Sequence, residues 1–457
     1  MSGVVAVLDI GKTNVKLALF DQGKLLWEKS TPSRVLPGPP YPHEDVETVW
    51  SFAISALREA GRAHRIGAIV PTAHGAAGAL IDDESLAAPV MDYEFAEVEE
   101  IEPEYAKLRP PFSESLSPKV PAGLNLGRQV AYQKWRRPEL FARAKHFVAY
   151  PQYWAWRLSG VAAAEVTSFG SHTDLWAPRL GHVSSLVGAL GIAGLIPPLR
   201  RAFDSLGVIK PDIAVATGLD ATTEVFCGIH DSNASLLPNL VSRKDPFTVL
   251  STGTWVILMS VGLSLDGLDP KDDTLANVDA LGRPIACGRF MGGREYGTIA
   301  GSGAKNPDTT AIERVIASGA TALPCFSGQG GPFAAVKGEI RGAVAPDDRA
   351  ALATLYSALM SDLMLTRMGV KSGDLVVEGS FAGNTAFCQT LGALRPTQQV
   401  FAAEDSMGAA RGAAMLADWP PNYRLAAPAA VPRAKIAGLD AYREAWSKEV
   451  ALISRPS

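Results

Sequence analysis

Two short turns place polar side chains directly after strand-like runs. In the first, Asp9 follows the apolar run Val4 to Leu8 and precedes the turn Gly11-Lys12-Thr13-Asn14. Backbone amides in such a turn converge and can bind an anion, while a carboxylate at a strand end can hold Mg²⁺ through water. The turn is not a Walker loop, because the pattern GxxxxGK[ST] is absent. It predicts phosphate and magnesium binding, and an ordinary hairpin is the alternative.

A second turn of the same kind, Ser251-Thr252-Gly253-Thr254, lies between the runs Phe247 to Leu250 and Trp255 to Val261. It carries hydroxyls around a glycine and no charge, which suits phosphate oxygens held by neutral donors. A structural hairpin is again the alternative. Two such turns at matched positions in the two halves of the chain favour a shared role in phosphate binding.

Between the two turns, Asp231 follows a strand-like run and stands before a helix-like segment, in Gly228-Ile229-His230-Asp231-Ser232. A carboxylate so placed can face a cleft and accept a proton from a hydroxyl as that oxygen attacks phosphorus. Asp is also a common helix cap, and spacing alone favours the cap. For His230 the pattern favours a packed or hydrogen-bonded structural histidine.

A third glycine-bearing segment runs from Leu375 to Ser380 and ends in Gly383-Asn384. A strand here leads through a small-residue turn towards a helix, and such a turn lets a flat purine approach the backbone. The same pattern also makes an ordinary strand-to-helix connection. Farther on, Gly408 to Ala414 is rich in small residues. This segment favours close helix packing over nucleotide contact.

Two more segments carry short polar groups beside apolar or aromatic ones, as the recognition of sugar hydroxyls requires. Thr72-Ala73-His74-Gly75 ends a strand-like run, and Asp92-Tyr93-Glu94-Phe95 follows Pro89-Val90. Each segment could equally be a surface loop. Together they are the candidates for a sugar-binding wall.

The elements that position these motifs suggest two domains. A chain of 457 residues exceeds one ordinary core. Two strand-turn-strand units, each opening a long mixed segment, predict two domains of similar plan with a boundary near Arg243 to Pro246. Helical patterns cover Val46 to Ala60, Asp347 to Met368 and Met407 to Leu416, and a last helix is expected from Gly438.

The composition of the chain limits the kinds of partner and the cellular compartment that are expected. With 43 basic and 47 acidic residues and a net charge of -4, the chain has no electrostatic footprint for nucleic acid. Its four cysteines stand far apart and form no CxxC pair, which fits a reducing compartment. No signal peptide and no stretch long enough to span a membrane are expected. A cytoplasmic enzyme acting on a small molecule is the prediction.

In their order along the chain, these motifs resemble those of the FGGY carbohydrate kinases, which share the actin-like ATPase fold. The segment Asp9 to Lys16 resembles the family's first phosphate motif, and Ser251 to Thr254 resembles its second. Gly228 to Asp231 is similar to its glycine-x-histidine-aspartate element, and Gly379 to Asn384 resembles its adenosine region. Glu165 to Ser168 matches an intermediate segment. The resemblance runs from about residue 4 to about residue 416.

The resemblance implies an α/β fold of two actin-like (ribonuclease H-like) domains with a cleft between them. Residues 1–243 would form the sugar and phosphate side with the catalytic Asp, and residues 244–457 the adenine nucleotide side. ATP and Mg²⁺ are the implied cofactors. Asp231 would be the catalytic base, and Asp9 and Asp231 would hold the metal. The nucleotide would be bound by Asp9, Gly11, Lys12, Thr13, Asn14, Lys16, Ser251, Thr252, Gly253, Thr254, Gly379, Ser380 and Asn384. The sugar would be bound by His74, Gly75, Asp92, Tyr93, His230 and Asp231.

Departures from the family pattern bear on the substrate. Lys12 stands where threonine is usual, and Glu378-Gly379-Ser380 replaces a common Gly-Gly pair. The tryptophan-x-aspartate-x-arginine segment that many members use beside the sugar is replaced by Asp92 to Phe95, which looks more like the rhamnulose-type branch.

The implied reaction is the ATP-dependent phosphorylation of a sugar hydroxyl. Because Tyr93 and Phe95 make the wall more apolar, a 6-deoxy ketohexose such as L-rhamnulose or L-fuculose is the first hypothesis. A pentulose such as xylulose or ribulose is the second. A non-catalytic sugar or nucleotide sensor, or an ATPase without a sugar acceptor, are the alternatives. The oligomeric state stays open, with a homodimer as one option.

Overall fold

Contacts between Cα atoms divide the chain into two compact units. The computed structural model describes residues 3–403 and 407–453. The first unit holds the described residues up to Ser242 together with Ala276–Pro284 and Met407–Leu425. The second holds Arg243–Leu275 and the described parts of Ile285–Ser406 and Ala426–Ser457. Along the chain, the first change from one unit to the other falls at the predicted boundary. Two later segments belong to the first unit again, so a single boundary after residue 243 does not describe the division.

The strands are, in chain order, β1 (Val4–Ile10), β2 (Asn14–Asp21), β3 (Lys24–Pro32), β4 (Val35–Leu36), β5 (His43–Glu44), β6 (Ile66–Ala73), β7 (Gly78–Ile81), β8 (His146–Ala149), β9 (Ala164–Glu165), β10 (Trp176–Ala177), β11 (His182–Val183), β12 (Leu199–Arg200), β13 (Ser205–Val208), β14 (Glu224–Phe226), β15 (Ile229–His230), β16 (Phe247–Thr252), β17 (Val256–Val261), β18 (Thr274–Val278), β19 (Pro284–Phe290), β20 (Thr321–Leu323), β21 (Glu339–Arg341), β22 (Asp374–Gly379), β23 (Val400–Ala403) and β24 (Ala429–Ala430).

The α-helices are, in chain order, α1 (Val46–Gly61), α2 (Glu102–Leu108), α3 (Phe112–Ser115), α4 (Leu126–Arg136), α5 (Pro138–Phe141), α6 (Tyr150–Ser159), α7 (Val166–Phe169), α8 (Ser185–Ala189), α9 (Pro211–Thr217), α10 (Asp231–Ser242), α11 (Gly292–Ala300), α12 (Thr309–Ser318), α13 (Arg349–Arg367), α14 (Thr385–Leu394), α15 (Gly408–Met415) and α16 (Leu439–Ile453).

The main sheet of the first unit has the order β13-β14-β6-β1-β2-β3, and β15 also pairs with β6. Strands β1, β2 and β3 are antiparallel neighbours, whereas β6 lies parallel to β1 and β14 lies parallel to β6. The carboxyl ends of β1, β6 and β15 therefore meet at one edge of the sheet. Asp9, His74 and Asp231 stand at or next to those ends, so the sheet brings the three together.

The main sheet of the second unit repeats this plan. The strands of this sheet that lie in the second unit have the order β19-β17-β16-β22-β23-β24. Strands β16 and β17 form the antiparallel hairpin, and β22 and β23 follow in parallel on the other side of β16. The prediction of two domains opened by equivalent strand-turn-strand units is confirmed. The α/β class with two domains is confirmed as well.

Helix α1 shows how the local sequence builds the first unit. Asp45 caps it by accepting the N–H of Thr48 at 3.1 Å. Apolar residues at helical spacing face inward, and the core they join includes residues of β1, β2 and β6. Because α1 lies between β3 and β6 in the chain, its packing lets β6 return parallel to β1. These buried residues of α1 are Val46, Val49, Ala53, Ala56, Leu57 and Ala60.

Helix α15, built from the small residues that follow Met407, packs closely on α10 within the first unit. A Cβ added at Gly412 would lie 1.8 Å from the carbonyl oxygen of Ala234. Close packing, the favoured interpretation of this segment, is what the structure shows. The predicted helices at Val46, Asp347, Met407 and Gly438 are all present within two residues of their expected starts.

No helix in the described ranges is both long and apolar enough to cross a membrane.

Candidate active site

Two carboxylates of the first unit, Asp9 and Asp231, act on each other. Burial first, and then the charge of Asp231, raise the pKa of Asp9 to about 7, against the opposing charge of Lys16. Lys16 is the register partner of Asp9 across the hairpin. Its Nζ lies 3.0 Å from the Met407 sulfur and 3.7 Å from Glu28 Oε2. Two carboxylates close enough for the charge of one to raise the pKa of the other favour a bound cation.

The turn after Asp9 is a tight hairpin connection. The N–H of Gly11 donates to the carbonyl oxygen of Asn14 at 2.9 Å, and the side chains of Thr13 and Asn14 are exposed. The amide nitrogen of Asn14 lies 3.3 Å from the Thr13 hydroxyl. The turn is therefore an ordinary hairpin connection, and its exposed Thr13 and Asn14 side chains could also donate to an anion.

Asp231 is both the first residue of α10 and the partner of a neutral histidine. Its carboxylate accepts the N–H of Ser232 at 2.6 Å, so the helix-start interpretation and the base interpretation do not exclude each other. His230 Nε2 lies 3.3 Å from Asp231 Oδ1, and Asn233 donates to His230 Nδ1 at 3.2 Å. Burial lowers the pKa of His230 to about 4. His230 is thus neutral near pH 7, with its proton on the nitrogen facing Asp231.

His74 stands at the end of β6 with one ring nitrogen available. Its Nδ1 donates to the Gly75 carbonyl oxygen at 2.9 Å, and its buried Nε2 has no hydrogen-bond partner among the described residues. Burial lowers the pKa of His74, so the free nitrogen is an acceptor. Gly75 is needed where it is, because a Cβ there would lie 2.6 Å from His230 Nε2.

Lys12 does not face the exposed turn to which it was assigned. Its ammonium lies 3.0 Å from Glu44 Oε1, makes a second ion pair with Asp92, and lies 4.7 Å from the centre of the Tyr93 ring. The His74 and Tyr93 rings are 5.5 Å apart. Two carboxylates thus draw the charge of Lys12 towards the predicted sugar-binding residues, and its contact with phosphate stays a prediction.

A buried carboxyl supports the segment that carries Asp231. Glu165 accepts the N–H and the hydroxyl of Thr167 at 2.9 Å and 2.5 Å and the N–H of Ser168 at 3.3 Å, and so caps α7. The Thr167 hydroxyl in turn accepts the N–H of His230 at 3.2 Å. Burial raises the pKa of Glu165 to about 7. Glu165 thus fixes the backbone next to Asp231 through one hydroxyl.

The Glu165→Gln variant should show a weaker dependence of stability on pH. The pKa of Glu165 rises from 4.5 to about 7, so the folded state binds this proton more tightly than the unfolded state. The resulting stabilisation is complete below the unfolded pKa and is lost as pH rises through the folded pKa, up to about 3 kcal/mol in all. The melting temperature between pH 5 and 8 should therefore fall less for Glu165→Gln. The exposed Glu139→Gln is the control, and equal pH slopes in all three proteins would contradict the expectation.

In the second unit, the turn after β16 is joined to the end of β22. The Thr252 hydroxyl donates to the Glu378 carbonyl oxygen at 2.5 Å and accepts the N–H of Phe381 at 2.8 Å. The N–H of Ser380 donates to the Thr252 carbonyl oxygen at 2.8 Å. The side chain of Thr252 is buried, while Gly253, Thr254 and Ser380 are exposed. The two predicted nucleotide segments of this unit thus form one continuous surface.

A comparison with known families agrees with this arrangement. The N-terminal domain of the FGGY family of carbohydrate kinases matches residues 4–238, and the carbohydrate kinase FGGY C-terminal domain matches residues 244–425. The chain belongs to the FGGY family of carbohydrate kinases. A crystal structure of a carbohydrate kinase from Novosphingobium aromaticivorans is 35% identical, with a TM-score of 0.89 over 97% of this chain and 100% of that one.

Two curated relatives of this FGGY kinase match over shorter stretches. An L-fuculokinase from Haemophilus influenzae is 29% identical over 134 residues, which is 28% of this chain and 27% of that protein. A probable L-xylulose kinase from Pasteurella multocida is 24% identical over 279 residues, covering 57% and 56% of the two chains. The matches thus span about a quarter to about half of these relatives. Neither relative is named as a rhamnulose kinase, so membership of the rhamnulose-type branch stays a prediction.

Among the FGGY motifs, the assignment of Asn384 needs correction. Its side-chain oxygen accepts the N–H of Phe387 at 3.0 Å as the cap of α14, and its amide donates to Thr354 at 3.1 Å. The side chain is buried and both of its polar ends are used. Asn384 therefore holds the start of α14, which leaves Gly379 and Ser380 as the candidates for nucleotide contact in this segment.

Beside the predicted site of this FGGY kinase, Glu44 escaped the sequence analysis, and Thr72 was named only as part of the segment Thr72 to Gly75, without a role of its own. Glu44 gives no local signal, since a single Glu in a two-residue strand resembles any surface acid, and only its burial beside Lys12 marks it. Thr72 is the register partner of Asp9, and its buried hydroxyl has no hydrogen-bond partner in the described ranges. A polar residue at the end of an apolar strand was the available signal for Thr72.

Proposed function

We propose that the protein transfers the γ-phosphoryl group of ATP to a hydroxyl of a sugar. The observation that carries the proposal is the meeting of Asp231, Asp9 and the acceptor nitrogen of His74 at one sheet edge. Asp231 acts as the base and accepts the proton of the sugar hydroxyl as its oxygen attacks phosphorus. The N–H of Ser232 holds the carboxylate of Asp231 in place, and neutral His230 lies beside it, with Nε2 3.3 Å from Asp231 Oδ1.

The residues present suit a magnesium ion that enters with the nucleotide. Asp9 and Asp231 are close enough for the charge of Asp231 to raise the pKa of Asp9, and the Thr72 hydroxyl beside them lacks a partner in the described ranges. The described residues contain no cluster of three or more His, Cys, Asp or Glu side chains that could hold a metal. That fits Mg²⁺, which commonly binds one or two carboxylates together with substrate phosphates. The ion would neutralise charge on the phosphates.

For the nucleotide, we assign separate parts to the two units. In the first unit, Thr13 and Asn14 would donate to phosphate oxygens, and in the second unit Ser251 and Thr254 would do so. Gly11 and Gly253, whose N–H groups close their own turns, would leave room for the phosphates, and Thr252 would fix its turn. The exposed Gly379-Ser380 turn would face the adenosine. Support comes from the glycines, since a backbone without side chains lets a phosphate or a purine come close. Residues 1–243 would thus supply the sugar and phosphate side, and residues 244–457 the adenine side.

For the acceptor, a 6-deoxy ketohexose such as L-rhamnulose or L-fuculose is the first choice and a pentulose such as xylulose or ribulose the second. The Tyr93 ring, 5.5 Å from the His74 ring, offers the apolar surface that a methyl group favours, and the fully buried Tyr150 ring packs behind His74. Relatives named for L-fuculose and L-xylulose agree with a ketose. A cytoplasmic location remains a prediction.

The proposal is tested by measuring ADP release from MgATP over a panel of ketoses and polyols that includes 6-deoxy ketohexoses. We expect strong release with one class of ketose and little without sugar. Release that is equal with and without every sugar would instead indicate an ATPase without a sugar acceptor. Nucleotide binding without any release would favour a sensor.

A further inference from the structure

The ammonium of Lys12 is an unusual charge on the sugar side of the first unit. It pairs with Glu44 and with Asp92, whose side chains are only 2% and 10% exposed. Burial lowers the pKa of Lys12, but the two carboxylates outweigh that effect and raise the pKa above its usual value. Lys12 is therefore a fixed cation, and its position is set by the two acids.

Glu44 depends on Lys12 in return. Burial raises the pKa of Glu44, and Lys12 is the first group that lowers it again. A buried carboxylate whose partner is removed loses far more than an exposed one, because water cannot replace the lost partner. Lys12 therefore keeps Glu44 charged and oriented in a place where an isolated carboxylate would be costly.

The paired acids lie where the sugar is expected. Glu44 Oε1 is 4.0 Å from the acceptor nitrogen of His74, and the Lys12 ammonium lies against the Tyr93 ring. Glu44, Asp92 and His74 thus bring acceptors together next to Lys12 and Tyr93. Neighbouring acceptors of this kind suit neighbouring hydroxyl groups, each of which has a proton to donate.

The local charges disfavour an anionic substrate. The charged groups that act on the Tyr93 hydroxyl are one cation, Lys12, and three anions, Glu94, Asp92 and Glu44. Asp231 adds a further negative charge near His74. Since both bonds of the Lys12 ammonium to protein go to acids, little of its charge is left for a carboxylate or a phosphate of a ligand.

We propose that Lys12 is a positioning residue of the sugar site, which holds Glu44 and Asp92 as paired acceptors for the hydroxyls of an uncharged polyhydroxy substrate and does not bind nucleotide phosphate. This inference rests on the proposed kinase function and goes beyond it. Lys12, a residue of the predicted phosphate motif, is assigned to the sugar site, and Glu44 is assigned the role of an acceptor for the sugar.

The test compares sugar KM with nucleotide affinity in Lys12→Met. Loss of hydrogen bonds to charged groups should raise the KM of the best ketose by about 10- to 100-fold. The affinity for MgADP, measured by calorimetry, should stay within about twofold. A phosphate role predicts the reverse, with weaker MgADP binding and an unchanged ketose KM, and that result would overturn the proposal.

A double variant separates positioning from folding. Lys12→Met leaves Glu44 buried without its cation, whereas Lys12→Met with Glu44→Gln removes both charges of that pair and should recover much of the melting temperature, although Asp92 still lacks its cation. The ketose KM should remain raised in the double variant, because the charged acceptor is gone. Full recovery of the KM together with the melting temperature would show that the ion pair only supports folding, and would refute the proposal.

The charge of the substrate provides an independent test of the proposal. Wild type should use the aldonate of the same carbon number at less than about one hundredth of the ketose kcat/KM, and a preference for the aldonate would overturn the inference. If wild type releases no ADP with any sugar, the proposed kinase function fails by itself. The MgADP comparison then still decides whether Lys12 binds phosphate.

Discussion

The Asp231→Asn variant should lose about 10²–10⁴-fold in kcat while nucleotide binding is largely retained, because Asp9 still offers a carboxylate to the magnesium ion. Asparagine keeps the shape of Asp231 and can still accept the N–H of Ser232, which lies 2.6 Å away in wild type. It cannot accept the proton of the sugar hydroxyl. The measurement is steady-state ADP release at saturating ketose, with MgADP affinity from calorimetry.

The exposed Asp212→Asn is the matched control for Asp231→Asn, because it removes the same charge from the same unit at a residue of α9. It should retain full activity. Wild-type turnover in Asp231→Asn would rule out Asp231 as the base. Equal losses in both variants would show instead that the overall charge of the unit governs the rate.

The Gly379→Ala variant should be destabilised and should bind nucleotide poorly. Gly379 has a φ of +79°, and a Cβ there would lie 2.0 Å from the carbonyl oxygen of Thr252. That carbonyl accepts the N–H of Ser380, so the turn after β16 and the end of β22 must move apart. A left-handed alanine together with this clash should cost about 3 kcal/mol.

Nucleotide affinity reports whether the displaced turn matters for function. A shift of about 1 Å in a binding segment can cost up to about 10²-fold, so MgADP affinity should fall well below that of wild type. Gly383→Ala is the control, since Gly383 lies in the same loop with nothing within 4 Å of an added Cβ. A lower melting temperature with unchanged MgADP affinity would remove Gly379 from the nucleotide site.

How far the sequence predicts this site depends on the residue. Asp9, His74 and Asp231 could be predicted as site candidates because each stands at or next to the end of an apolar strand, and ends of parallel strands meet at one edge of a sheet. Asn384 was misassigned because a glycine turn before a helix looks alike whether its last residue contacts a ligand or caps the helix. The local sequence is compatible with both roles of Asn384, and only its hydrogen bonds with Phe387 and Thr354 distinguish them.

Lys12 and Glu44 show a different limit. A lysine in a phosphate-type turn points by analogy to phosphate, and a glutamate 32 positions later carries no signal of its own. Their pairing depends on where β5 lies against the hairpin, which is a property of packing. The buried carboxylates that pair with the Lys12 ammonium set its position, so that position cannot be predicted from the turn that carries Lys12.

The sequence by itself determined the two-domain α/β plan, the order of the motifs and the strand ends that carry Asp9, His74 and Asp231. It did so because strands, turns and helices depend on short-range periodicity and on the glycines that tight turns need. Only the tertiary structure decided that Lys12 joins Glu44 and Asp92, that Glu165 supports His230 through Thr167, and that the chain returns to its first unit at Ala276 and Met407. Each of these depends on contacts between residues far apart in the chain, and the burial that fixes the partner of each side chain exists only once the chain has folded.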